Sequence, residues 1–203
     1  SGLNLVSPHA RANLSDLGPG KYAIKAITQA GSERVIRYAF ELARKRNRGK
    51  KVTLTCKYNM LSESDGFFRK VGNEIAKEYP DIEYDTYIID DFLCRMITKP
   101  QLLDVVVMPN LYGDIMSDGA AGLIGGLGLA PSGCYGEHYA YFESAHGTAP
   151  DIAGQHIINP TATLLSASMM LDYLGFSSEA AGLNAAIKQV YAEGKVLTVD
   201  QGG

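Results

Sequence analysis

Cysteine is scarce in this chain: Cys56, Cys94 and Cys134 are the three among 203 residues. They are odd in number, far apart and free of any Cys-x-x-Cys spacing. That argues against a disulfide framework and points to a reducing compartment. A dominant charge sign is also lacking. Net charge is -3, and the local basic cluster at Arg44 to Lys51 reads as a solvated helix end, where positive charge suits the dipole. Neither nucleic acid nor a membrane surface is expected as a partner. No apolar run approaches the ~20 residues a membrane span needs, and Ser1 to Gly20 has no signal-peptide core. The expected location is the cytoplasm, or the mitochondrial matrix in a eukaryote. An initiating Met is absent and the last residues are Gly202-Gly203, so a piece of a longer chain is expected.

What remains is a globular composition, 46% apolar and 20% charged, enough for one large domain or two small ones. Ser1 to Gly20 reads as an irregular segment. Tyr22 to Thr28 alternates like a strand. Ser32 could cap a helix whose stripe is Val35, Ile36, Ala39, Phe40, Leu42 and Ala43, ended by Gly49. Val52, Leu54 and Cys56 alternate with Thr53 and Thr55 as in a half-buried strand. Ser62 or Ser64 caps a helix burying Phe67, Phe68, Val71, Ile75 and Tyr79, and Pro80 stops it. Ile82 to Ile88 is a strand, and Asp91 to Thr98 a short helix closed by Lys99-Pro100.

Val105 to Met108 has the β-branched content of a buried strand. A helix follows, starting near Tyr112 or Asp114. A strand at Tyr139 to Glu143, a Gly/Pro-rich loop from Ser144 to Pro160, and helices at Thr161 to Leu174 and Ser178 to Ala192 complete the reading. Alternating strands and helices make an α/β fold, with a boundary expected near Pro100.

Asp114 and Asp118 are four apart, so on a helix their carboxylates share one face. Just past a strand end, they could hold a hard divalent cation, which wants oxygen ligands. A solvated acidic helix start explains them equally well. Lys57 and Asn59 stand at another strand end, a position that often hosts function in α/β folds. Asp90 follows a third strand and could simply cap the next helix. Gly122, Gly125, Gly126 and Gly128 do not fit G-x-G-x-x-G between strand and helix; close packing explains them.

Taken together, NLYGDIMSDGAAGLIGGLGLAPSG, FESAHGTAPDIAG and INPTA resemble the β-decarboxylating dehydrogenases of isocitrate, 3-isopropylmalate, homoisocitrate and tartrate/malate. The likeness runs from about Lys21 to Gly203 and is greatest to the NAD-dependent isocitrate enzymes. It implies the isopropylmalate/isocitrate dehydrogenase-like two-domain fold without its N-terminal part. Residues 21–100 would be part of a small dimer-forming domain, and 101–203 the C-terminal part of a large cofactor-binding domain. It implies a metal site of Asp114 and Asp118 with Asp90 of a neighbouring subunit, taking Mg²⁺ or Mn²⁺. Lys57 would transfer a proton and Asn59 lie near substrate and nicotinamide; Tyr58 stands where the family has a small residue.

The same likeness implies that Glu143, His146, Gly147, Thr148, Ala149, Asp151 and Asn159 hold NAD. A carboxylate at 151 can accept from ribose hydroxyls and would repel a 2′-phosphate. The implied activity is oxidation and decarboxylation of a 2-hydroxy acid, isocitrate favoured because PNLYGDI carries a Tyr, in a homo- or hetero-oligomer that is at least a dimer. The family's substrate serine, arginines and catalytic tyrosine have no counterpart here. A regulatory or truncated, non-catalytic chain acting through its interface is therefore the competing expectation.

Overall fold

Residues 18–21 and 23–203 are described in the computed structural model. Residues 1–17 of the expected irregular start, and Tyr22, lie outside them. Residues 23–28 form no ladder, contrary to the expected strand. A strand persists only when its N–H and C=O groups pair with a neighbour. None among the described residues pairs here, and Ile24 is 65% exposed.

Helix α1 is Gln29–Arg46. Its cap is Thr28, whose hydroxyl accepts from the Gly31 N–H at 3.2 Å. Ser32, the expected cap, lies inside the helix and donates its hydroxyl to the Thr28 carbonyl at 2.7 Å. At the other end Asn47, not Gly49, takes the left-handed conformation, and its N–H bonds the Ala43 carbonyl. Arg44, Lys45 and Arg46 complement the dipole there.

Strands β1 (Lys51–Cys56), β2 (Glu83–Ile88) and β3 (Val105–Val107) form a parallel sheet in the order β2-β1-β3. The sheet therefore crosses Pro100. β1 is central and buried on both faces, not half-buried: Thr53 and Thr55 are as covered as Val52 and Leu54. Helix α2 (Asp65–Ala76) packs on α1 and β1. Ser64 precedes it without a side-chain capping bond, and the helix ends before Pro80. Phe40, Leu54, Phe68, Val71, Ile75 and Val107 make the core between these elements. Each large apolar side chain so buried contributes roughly 1.5–3 kcal/mol.

Helix α3 (Ile89–Thr98) follows β2, and α4 (Asn110–Leu123) follows β3. Beyond them comes an antiparallel pair, β4 (Pro131–Tyr135) with β5 (Ala140–Ser144). β4 was not expected, because its Pro and Gly hide an alternation that pairing alone reveals. β5 begins one residue after the expected Tyr139. Helices α5 (Thr161–Tyr173) and α6 (Ser177–Glu193) pack together, with α5 against both strands of the pair. Tyr135, Phe142 and Tyr173 form an aromatic cluster that Tyr38 of α1 joins at 4.9 Å from Tyr135. Among the described residues no helix is long and apolar enough to cross a membrane.

Candidate active site

Three neighbouring parallel strands end side by side. The register pairs Cys56 with Ile88 and Leu54 with Val107, so β1, β2 and β3 release their chains at one edge of the sheet. Lys57 follows β1, Asp90 lies in the first turn of α3, and α4 begins three residues after β3. The outcome is contact: Lys57 Nζ donates to Asp90 Oδ1 at 2.5 Å. Asp90 is not a cap. Ile88 occupies that position, and no side chain caps the helix. The Lys57 ammonium, by hydrogen bond first, holds the Asp90 carboxyl below the usual carboxylate range.

The Lys57 backbone is fixed as well. Its carbonyl accepts from the N–H groups of Met60 and Leu61 at 3.1 and 2.9 Å. Its N–H donates to Asp65 Oδ2 at 2.9 Å. Asn59 is exposed on this turn, and the Arg69 guanidinium lies 4.2 Å from the Tyr58 ring centre. Asp65 is completely buried, and its other oxygen pairs with Lys25 Nζ. Lys25 also sits 4.5 Å from the centre of the Tyr112 ring, in the first turn of α4. Neither Lys25 nor Asp65 stands out in the sequence. The one local signal is an acid at the first position of a helix, which reads as ordinary dipole complementarity.

Asp114 and Asp118 are exposed, one turn apart on α4. The helix starts earlier than expected. Pro109 is extended, and its carbonyl already accepts from the N–H groups of Tyr112 and Gly113. Among the described residues no three His, Cys, Asp or Glu side chains stand close enough to hold a metal ion. Asp90 therefore does not join Asp114 and Asp118 within one chain. The pair fits as two hard oxygen ligands of a divalent ion whose shell is completed from outside the chain.

The expected cofactor segment spreads around a groove of about 630 Å³, which His146, Gly147, Ala149 and Asn159 line with Gly128 and Asp200. Glu143 is exposed on β5, Thr148 is exposed in the loop, and Asp151 is the middle residue of the 3-10 turn Pro150–Ile152; these three do not line the groove. Ala149 is left-handed, with φ 44°, a costly backbone for a non-glycine residue and one that gathers at ligand-binding turns. His146 Nδ1 contacts the Gly147 carbonyl at 2.8 Å. That contact puts a proton on Nδ1; in the neutral ring Nε2 is then an acceptor, and Nε2 is buried without a partner among the described residues. An orphan acceptor beside the groove suits a hydroxylated ligand such as a dinucleotide.

Asn159 is the most buried of the set, at 5% exposure. Its Oδ1 accepts from the Thr161 N–H at 3.0 Å, and its Nδ2 donates to Asp200 Oδ2 at 3.0 Å and to the Tyr191 hydroxyl at 3.2 Å.

The family model described as isocitrate/isopropylmalate dehydrogenase matches residues 10–203. A 3-isopropylmalate/3-methylmalate dehydrogenase of Methanocaldococcus jannaschii is 50% identical over 184 residues, covering 89% of this chain and 55% of the relative. An NADP isocitrate dehydrogenase of Rickettsia bellii is 52% identical over 172 residues, covering 85% and 35%. Among solved structures, isocitrate dehydrogenase from Methylococcus capsulatus superposes with a TM-score of 0.85 at 49% identity, covering 88% of this chain and 52% of that one. Other relatives carry the names of an NAD isocitrate dehydrogenase subunit alpha and an NAD isocitrate dehydrogenase regulatory subunit. The chain spans about half the length of several curated relatives it matches, and less of others.

Proposed function

The chain belongs to the isocitrate/isopropylmalate dehydrogenase family, and from that premise we propose that it carries the metal, proton-transfer and cofactor segments of an NAD-dependent enzyme. The reaction would be oxidation and decarboxylation of a 2-hydroxy acid, with isocitrate favoured and 3-isopropylmalate the alternative. The division near Pro100 into part of a dimer-forming domain and part of a cofactor-binding domain belongs to the same proposal. So does a reducing compartment, cytoplasm or mitochondrial matrix, which the three free thiols support.

One observation carries the reading. Lys57, Asp90 and the helix with Asp114 and Asp118 each follow the carboxyl end of one of three adjacent parallel strands. Ligands of open α/β sheets gather at that edge. Asp114 and Asp118 would bind Mg²⁺ or Mn²⁺, with a third carboxylate from the partner subunit's Asp90. When bound, the ion supplies a Lewis acid for charge on substrate oxygens, and NAD supplies the hydride acceptor. Lys57 Nζ holds or moves a proton, and Asp90 orients it through their ion pair. That pair would deliver both groups to a neighbouring site together. Asn59, exposed beside them, offers an amide to orient substrate.

A second reading, a regulatory subunit, is favoured by the relative of that name. The intact Lys57–Asp90 pair and the two exposed aspartates of α4 support the first. The test uses the full-length protein. Activity should vanish with EDTA and return with Mg²⁺ or Mn²⁺. Asp114→Asn should lower kcat by roughly 100-fold or more, as loss of one preorganised stabiliser of developing charge does, and should leave NAD binding nearly unchanged. Full turnover in EDTA, together with an unimpaired Asp114→Asn variant, would remove the metal from the mechanism.

A further inference from the structure

Asp65 is fully buried at the first position of α2, with Lys25 as its only cation contact among the described residues. A buried carboxylate is costly unless paired and hydrogen-bonded, so the fold retains it against a penalty. What it holds is the backbone of Lys57. The β1–β2 ladder ends at the pair Cys56–Ile88, one residue short of Lys57. The Lys57 N–H would be left without a partner there, and Asp65 Oδ2 takes it. The loop between them closes on itself: the Asp65 N–H donates to the Leu61 carbonyl at 2.9 Å, and the Cys56 thiol to the Asp65 carbonyl at 3.4 Å. Lys25 supplies the counter-charge from 40 positions away. It also rests on Tyr112, which ties the same cluster to α4.

We propose that Asp65 is a positioning residue for Lys57, and that Lys25 is the counter-charge that allows a carboxylate in that place. The proposal rests on the reading of Lys57 as the proton-transfer group. The main chain of Lys57 is held by Asp65 and by the turn to Leu61, and its Nζ by Asp90. With both ends fixed, the ammonium is placed before substrate arrives, which is where orientation gains rate. Tyr112, the side chain that distinguished PNLYGDI in the sequence, faces Lys25. It serves this cluster.

The test is a double-mutant cycle in the full-length enzyme. Asp65→Asn and Lys25→Met should each lower kcat by about 10- to 100-fold, the effect of a small misplacement at a reacting group, with KM for the hydroxy acid changing much less. The double variant Lys25→Met/Asp65→Asn removes both charges and keeps an amide oxygen for the Lys57 N–H. It should recover most of the kcat that either single change loses. If all three variants lose thermal stability yet the folded fraction keeps wild-type kcat, Asp65 is structural only and the proposal fails.

Should a single variant not fold, amide exchange in the wild type decides. The Lys57 N–H should exchange far more slowly than that of Asn59, and equal rates would overturn the proposal. Lys57→Ala separates the two readings. If it retains turnover, the role of Lys57 is wrong and this inference goes with it. If it abolishes kcat while the Asp65 and Lys25 variants stay normal, only this inference is lost.

Discussion

Asp151 shows how much one charge can be asked to decide. It is the middle residue of the 3-10 turn Pro150–Ile152, two positions after the left-handed Ala149, and is exposed. A carboxylate there could accept two hydroxyl hydrogen bonds from an adenosine ribose and would repel a 2′-phosphate. In the full-length enzyme Asp151→Lys should therefore shift the ratio of kcat/KM for NAD over NADP down by roughly 10- to 100-fold, the worth of charged hydrogen bonds of about 1.5–3 kcal/mol. A relative named for NADP, at 52% identity, makes this a real choice. If the unmodified enzyme turns over NADP with the higher kcat/KM, the reading of Asp151 is wrong. Asn159 is tied into the fold as well. The resemblance gives it cofactor contact, and it lines the groove; its side chain also accepts from the Thr161 N–H at the start of α5 and ties that helix to Tyr191 and Asp200. Gly128 belongs to this corner, because a Cβ there would stand 3.1 Å from the Asn159 Cβ.

Among the elements, β1 and α2 meet most closely. A Cβ added at Gly72 of α2 would overlap the Leu54 side chain and stand 2.7 Å from the Tyr84 hydroxyl. Leu54 is wholly buried on the central strand and has no free direction in which to move. Gly72→Ala should therefore destabilise the protein by about 1–3 kcal/mol through overpacking, although alanine is the better helix former by roughly 1 kcal/mol. Urea unfolding of wild type and variant measures it; a variant at least as stable as wild type would mean the helix can slide off β1 without cost. The same closeness seals the Leu54 face of β1. Its alternation of Val, Leu and Cys with Thr suggests one wet face, but the Thr face is covered too. Residues 23–28 reverse the case. They alternate like a strand and lack one, because no described residue pairs with them.

For the molecule as a whole, the question is which surfaces are left over. Phe68, Val71 and Ile75 of α2, with Tyr79 just beyond it, are spent on the core. Exposed apolar side chains lie elsewhere, at Leu93 and Ile97 on α3 and at Leu111 and Ile115 on α4, two helices that pack on each other. Each pair is four residues apart and so shares a helix face. With the exposed Lys57–Asp90 pair nearby in the chain, these residues support assembly. The full-length protein should scatter light as at least a dimer at micromolar concentration, and a monomer there would refute the shared site.

What sequence alone determined was local. The 3.6-residue stripe of α1, the β-branched run of β3, the glycine stop after α5 and the unbroken motifs from Asn110 to Ala162 follow from neighbours within a turn or a strand. Those motifs were enough to place the chain in its family. The tertiary structure decided what depends on distant partners. Lys57 meets Asp90 across 33 positions and Lys25 meets Asp65 across 40. No spacing rule announces such pairs. They exist because β1 and β2 are parallel and in register, and because a carboxylate sealed inside α2 must find a cation wherever the fold can bring one.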